Sequence, residues 1–232
     1  MTTSLNNTVN VIGAIVLVIL SSTGCNRRLE YERRQAAMEK VKELGGTVEI
    51  DKEKPERATL TVSLMDCNVG DAELRFLKDL HGLDTLDLRG TKINGEGLIC
   101  LKDMASVRRL WLHHCPITDA GARQISKLSS LTELDLGHSL ISDTGLKYIG
   151  AMKGLEDLCL SDTEITDAGL RNLNQLQELL RLYINDTNIT GAGLEHLTML
   201  TKLIQVDARN TQCTQAELAQ LEEVLAQNRR NR

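Results

Sequence analysis

The octapeptide TEITDAGL (Thr163–Leu170) returns along the chain at an interval of 24 residues. Upstream stand SLISDTGL (Ser139–Leu146), CPITDAGA (Cys115–Ala122) and TKINGEGL (Thr91–Leu98), and downstream stands TNITGAGL (Thr187–Leu194). A fixed period dictates architecture, because each unit must repeat one local structure and pack on its neighbours. One register fits from Thr59 to Ala226. Its best units open LDTLDLRGTKI (Leu83–Ile93), VRRLWLHHCPI (Val107–Ile117), LTELDLGHSLI (Leu131–Ile141), LEDLCLSDTEI (Leu155–Ile165) and LLRLYINDTNI (Leu179–Ile189). Degenerate units flank them from Thr59 and Leu203, making seven. Unit positions 1, 4, 6 and 11 are apolar, and position 9 is a small Thr, Ser or Cys.

Apolar positions 4 and 6 alternate with polar 3, 5 and 7, the period of a short strand with one buried face. Position 12 is Thr118, Ser142, Thr166 or Thr190 and position 13 is often Asp119, Asp143 or Asp167. These are helix N-cap and first-turn residues. Apolar positions 16, 19 and 22 then mark one helix face, so each unit reads strand, turn, helix. A lone unit leaves its apolar edges bare, and stacking buries them in a solenoid with parallel strands inside and helices outside. Position 15 is Gly97, Gly121, Gly145, Gly169 and Gly193 in the central units but Glu73 and Glu217 at the ends. Gly costs about 1 kcal/mol in a helix, and close approach between neighbouring helices is the expected reason for it.

The pattern L-x-x-L-x-L-x-x-[TC]-x-I with its ITDAGL continuation resembles the leucine-rich repeat. It looks like the cysteine-containing subtype of F-box and ribonuclease-inhibitor-like proteins, which also occurs in bacteria. The resemblance runs from about Thr47 to the C-terminus. It implies an α/β fold, a right-handed horseshoe with the parallel sheet on its concave face and helices on its convex face. It implies little about function, which lives in sites rather than folds.

Four segments follow. Residues 1–25 hold the apolar run VIGAIVLVIL (Val11–Leu20) and then SSTGC (Ser21–Cys25). This resembles a bacterial lipoprotein signal that would leave Cys25 as a lipidated N-terminus. A short uncleaved anchor, with Arg27 and Arg28 following at once, is the alternative, and simple secretion is a third. In each of the first two the chain is attached to a membrane through its N-terminus. Residues 26–58 supply a cap: an amphipathic helix over Arg33–Gly46, a strand TVEI (Thr47–Ile50) and a loop over Asp51–Ala58. Residues 59–226 are the repeats, closed by a helix over Ala216–Gln227 that opens on the capping-box spacing TQAE (Thr214–Glu217). Residues 227–232 read as a frayed basic tail.

Aromatic residues make up only 2% of the chain, with Trp111 and Phe76 each the only one of their kind, so the core must be layers of Leu, Ile and Val. The net charge of −5 argues against a nucleic-acid partner, which asks for a basic face. No P-loop, G-x-S-x-G or H-E-x-x-H is present, so neither a catalytic set nor a cofactor is expected. Cys67, Cys100, Cys115 and Cys213 sit in slots for small semi-apolar groups and read as buried free thiols. Cys159, at outward position 5, reads as the more reactive thiol. The position-8 column is Asp66, Gly90, His114, His138, Asp162, Asp186 and Asn210. It reads as a solvated rim, with a metal site as the sharper alternative.

The expected function is therefore a non-enzymatic protein-interaction module whose unknown protein partner docks on the concave face. The predicted patch centres on Arg109, Trp111 and His113, flanked by Asp87 and Arg89 on one strand and Glu133 and Asp135 on the other, with Tyr183 further along the same row. An exposed Trp beside an Arg is hot-spot composition. The plainer alternative has Arg109 paired with Glu133 across strands and Trp111 lying flat. A cytoplasmic-side adaptor like the F-box proteins and an envelope carbohydrate binder are further alternatives. No F-box-like segment is expected ahead of the repeats, and few aromatics are available for stacking sugars.

Overall fold

Among the described residues, eight strands lie side by side in chain order: β1 (Thr47–Ile50), β2 (Leu60–Ser63), β3 (Leu83–Asp87), β4 (Arg109–Trp111), β5 (Glu133–Asp135), β6 (Asp157–Cys159), β7 (Arg181–Tyr183) and β8 (Gln205–Asp207). The computed structural model describes residues 24–51 and 59–230, with the backbone alone at 24–26. The apolar run Val11–Leu20 and most of the loop before the first repeat lie outside the described residues, as do the last two residues. β1 runs antiparallel to β2 and closes the N-terminal edge, as its place in the sequence predicts. From β2 onward all pairs are parallel. Equal unit positions become partners, as in Leu110↔Leu134, Leu134↔Leu158 and Leu158↔Leu182. The exception is the first unit, where Leu60 pairs with Leu83 but Thr61 with Thr85. Its leading Leu arrives one residue late, and a bulge at Asp84 restores the register.

The apolar columns form one continuous core. In a central unit Leu134, Leu136, Ile141, Leu146 and Ile149 are buried, and the same positions are buried in the units on either side. Burying each such side chain contributes about 1.5–3 kcal/mol. The backbone stitches the units together beyond the strands. Position 6 donates to the position-5 carbonyl of the next unit (Leu136 N to Cys159 O, 2.9 Å), and position 8 donates to its position-7 carbonyl (His138 N to Ser161 O, 2.8 Å).

The N-terminal cap helix α1 spans Gly24–Glu43, longer at its start than the sequence suggests, and Cys25 lies in its first turn. It buries Ala37 and Val41 against the first repeat. It stops where Gly45 adopts φ +88° and Gly46 N–H returns to the Val41 carbonyl at 2.9 Å. On the other face, α2 (Asp119–Ile125), α3 (Asp143–Ile149), α4 (Asp167–Leu170) and α5 (Gly191–Leu194) are short. The first two units use 3₁₀ helices instead, at Asp71–Asp79 and Glu96–Leu101, and α4 and α5 run on into 3₁₀ turns. The helix expected in each unit is thus present, as α-helix, 3₁₀ helix or one running into the other.

The last helix, α6 (Gln215–Arg230), opens on the predicted capping box. Thr214 N–H donates to a Glu217 carboxylate oxygen at 2.7 Å, and Glu217 N–H to Thr214 Oγ1 at 3.2 Å. It also absorbs residues 227–230, which are helix rather than frayed tail. Asn228 Nδ2 donates to Thr198 O at 2.9 Å and Arg229 Nη1 to Leu203 O at 2.5 Å, tying the basic end to the last repeat.

Thr118, Ser142, Thr166 and Thr190 cap their helices as predicted. The Asp at position 13 does more than face a helix end. Asp143 accepts the Thr166 N–H (2.8 Å) and hydroxyl (2.7 Å) of the next unit, and Asp167 does the same for Thr190. These carboxylates clamp each unit to the following cap. They also explain the glycines. A Cβ on Gly169 would stand 2.3 Å from Asp143 Oδ1, and one on Gly193 would stand 2.2 Å from Asp167 Oδ1. The close approach is to the first residue of the neighbouring helix, as expected: to its carboxylate at Gly145, Gly169 and Gly193 and to the Asp71 backbone at Gly97, whereas Gly121 meets the Asn94 carbonyl oxygen. At the last unit the bulk changes sides: Glu217 occupies position 15, and its carboxylate fills the space beside Gly191.

Candidate functional site

Side chains at strand positions 3, 5 and 7 project from the concave face. The position-5 row pairs Asp87 with Trp111, Trp111 with Asp135, Asp135 with Cys159 and Cys159 with Tyr183. Asp135 and Cys159 are short, so a hollow of about 490 Å³ opens between the two aromatic side chains. Five of the predicted residues meet here: Arg89, Trp111, Glu133, Asp135 and Tyr183. Asp157 and Arg181 also line the hollow, with Leu134, Leu158 and Cys159. Asp157 and Arg181 both stand at position 3, and the column that already holds Arg109 and Glu133 would have identified them.

Three predicted residues lie off the hollow. Asp87 is 4% exposed, beneath Arg89, whose guanidinium forks onto it at 2.9 and 2.8 Å. Burial pushes the Asp87 pKa up, but the Arg89 hydrogen bonds and charge outweigh it and hold the carboxyl below its usual value. Arg109 turns away to Thr85 Oγ1 (2.7 Å) and Asp84 Oδ2 (2.5 Å). The expected Arg109–Glu133 pair therefore does not form, because Asp84, the bulged residue, captures the guanidinium first. His113 sits beside the hollow, with Nδ1 3.6 Å from Asp135 Oδ1.

Trp111 is half-buried rather than fully exposed. Its indole N–H donates to Glu133 Oε1 at 2.7 Å, and the Arg89 guanidinium stands 5.1 Å from its ring centroid, a cation–π distance. At the opposite end Arg181 forks onto Asp157. Each guanidinium is thus matched to a carboxylate of its own. Glu133 and Asp135 are not so matched. Asp135 Oδ1 accepts the Gly137 N–H at 2.9 Å and its carboxylate also faces the Cys159 thiol, while Glu133 Oε2 accepts no hydrogen bond from the described residues.

Cys159 forms the floor, and here the sequence expectation fails. Burial, and then the charge of Asp135, push its thiol up to about 11, so it is not an activated nucleophile. Of the four thiols expected to be buried, only Cys115 is; Cys67, Cys100 and Cys213 are half-buried. All five described cysteines are free.

The position-8 column has a backbone explanation. Asp66, His114, His138, Asp162, Asp186 and Asn210 have φ between 54° and 58°, and Gly90 has 69°. Only Gly, Asn, Asp and His enter this left-handed region readily, so the turn selects the residue types. The His114 ring packs edge-on to His113 and His138, with centroids 4.3 and 4.1 Å away. The clustered rings shed hydration and repel as imidazolium, which lowers the His114 pKa. Among the described residues no three His, Cys, Asp or Glu side chains are placed to hold a metal ion.

The profile of the family described as "Leucine Rich repeat" matches residues 83–102 and 127–150. Among solved structures the chain is similar to an internalin C2 from Listeria monocytogenes, at 21% identity over 69% of this chain and 76% of that one, with a TM-score of 0.49. It is also similar to an internalin inlF from the same species, at 18% identity over 69% of this chain and 51% of that one, again with a TM-score of 0.49. No curated protein sequence matches. The parallel sheet, its 24-residue register and the matched profile make the fold a leucine-rich-repeat solenoid.

Proposed function

We propose that this leucine-rich-repeat solenoid is a membrane-attached, non-enzymatic protein-interaction module that receives a protein partner on its concave face. One observation carries the reading: the hollow between Trp111 and Tyr183, where the chain's only Trp is held half-exposed by Glu133 and Arg89. Rigid aromatics beside arginines are where interface energy concentrates. The neighbouring core layers consist of Leu and Ile, so an aromatic placed here is not needed for packing. Nucleic acid is not the intended partner, given the net charge of −5.

Attachment is through the N-terminus. Cys25, after the apolar run and SSTG, is the residue lipidated on cleavage, and the solenoid then lies on the outer face of the cytoplasmic membrane or in the periplasm. A single-pass anchor is the alternative. Among the described residues no helix is long and apolar enough to cross a membrane. The mass of the mature N-terminal peptide decides: a diacylated Cys25 supports the lipoprotein, and an intact Met1 leaves the anchor.

The docking face is tested by Trp111→Ala and Tyr183→Ala, with Lys147→Ala on the exposed side of α3 as the control. Affinity capture from membranes is compared at equal folded protein, checked by circular dichroism. Loss of the captured protein with Trp111→Ala and its retention with Lys147→Ala support the reading. Equal capture by all variants moves the site off the concave face.

A further inference from the structure

The hollow has a charge and shape that select what enters it. We infer that it is a socket for an arginine side chain presented by the protein partner. This rests on the concave face being the docking surface, and it adds the chemistry of the residue that docks.

Three carboxylates, Glu133, Asp135 and Asp157, line the hollow against two guanidiniums, Arg89 and Arg181, and Asp87, off the hollow beneath Arg89, brings the local charge to −2. Arg89 is neutralised by Asp87 and Arg181 by Asp157. Glu133 therefore has no cation of its own, and Asp135 has only the His113 imidazole, Nδ1 3.6 Å from its Oδ1. Glu133 and Asp135 stand on the same strand at positions 3 and 5, so both project from the concave face. The walls are Trp111 and Tyr183, three strand spacings or roughly 14 Å apart along the sheet. Trp111 already takes one guanidinium, Arg89, over its ring. A concave, low-dielectric site of one sign focuses its field on an incoming opposite charge.

An anion is disfavoured, because both resident guanidiniums have their donors turned onto Asp87 and Asp157. Lysine fits less well than arginine. A guanidinium is planar, stacks on an aromatic face and forks between two acceptors, whereas an ammonium is a strongly hydrated point charge. The short floor residues Asp135 and Cys159 leave depth for the long arginine stem.

The single Trp gives a direct readout, since the full chain labelled with ¹⁵N has one indole N–H signal. The probes are the acetylated amide peptides Gly-Ser-Arg-Ser-Gly, its Lys and Glu counterparts, and free sodium phosphate. The Arg peptide should move the indole signal saturably, the Lys peptide more weakly, and the Glu peptide and phosphate not at all. In Glu133→Gln/Asp135→Asn the amide oxygens keep the Trp111 and Gly137 hydrogen bonds, so the fold is preserved. Affinity for the Arg peptide should nevertheless fall about tenfold, as expected for two half-exposed ion pairs. No movement with the Arg peptide, equal movement with the Glu peptide, or an unchanged double variant overturns the socket. If partner capture still depends on Trp111 in that case, the docking face stands and only its arginine specificity falls.

Discussion

Gly169→Ala separates the two explanations of the position-15 glycine. Position 169 lies inside α4, where Ala is the better helix former by about 1 kcal/mol, so propensity alone predicts a more stable protein. The geometry predicts the opposite. The new Cβ would stand 2.3 Å from Asp143 Oδ1 and 3.0 Å from Leu146 Cδ1. To clear it, the carboxylate must leave the Thr166 N–H and hydroxyl, which it holds at 2.8 and 2.7 Å. Hydrogen bonds to a charged group are worth about 1.5–3 kcal/mol each, and part of that is recovered from water at this half-buried site. After the helix gain is offset, the expected net loss is about 1–3 kcal/mol. The assay is urea denaturation followed by circular dichroism, with a lower midpoint at unchanged slope. In an Asp143→Ala background the obstruction is gone, so adding Gly169→Ala should be neutral or stabilising. Gly154→Ala is the control, since its Cβ would meet only the Leu131 carbonyl oxygen at 3.6 Å and that of Ser129 at 4.0 Å. If Gly169→Ala stabilises the wild-type chain, or its effect simply adds to that of Asp143→Ala, the carboxylate clamp is not the reason for the glycine.

Three further outcomes are expected. At position 8, Asp162 holds φ 54°, so Asp162→Val should cost about 1–2 kcal/mol more than Asp162→Gly; both lose the His138 contact, and equal midpoints would refute the backbone account. Cys159, with its thiol pushed up to about 11, should alkylate about two orders of magnitude more slowly at pH 7.5 than an unperturbed thiol; fast labelling in native peptide mapping contradicts its half-buried, acid-flanked setting. Asp87 has a folded pKa below its unfolded value, so it stabilises above about pH 3.9 and loses that contribution as pH falls through the depressed pKa. Asp87→Asn should therefore lower stability at neutral pH and shrink the acid limb of a midpoint-against-pH plot; an unchanged limb would mean the Arg89 fork is not holding the proton off.

The period alone made the architecture legible, because equal positions 24 residues apart had to become strand partners, and Leu134 and Leu158 do. The caps were legible for the same reason: Thr166 and its equivalents are short polar residues placed just before an apolar helical face. What escaped depended on contacts between units. Asp143 and Gly169 are 26 residues apart, one unit plus two positions, and a pattern read column by column does not join positions 13 and 15. The left-handed turn was written in the Asp, Asn, His and Gly content of position 8, yet the same residues also suit a rim or a metal, and backbone angles decide between them. At the site, the hollow needed only the sizes along row 5, which the sequence supplies. The fate of Arg109 depended on the bulge at Asp84, which follows from a one-residue slip at Leu60 that the degenerate first unit conceals.

The central claim is that the partner lies on the concave face, and proximity measured in native membranes tests it most directly. A photoreactive benzoylphenylalanine placed at Tyr183, on the wall of the hollow, is compared with the same group at Lys147 on the opposite side. The account predicts a discrete protein adduct on illumination from position 183, absent from position 147 and lost when Trp111→Ala is combined with it. An adduct from position 147 alone, or one from position 183 that survives Trp111→Ala undiminished, would contradict it.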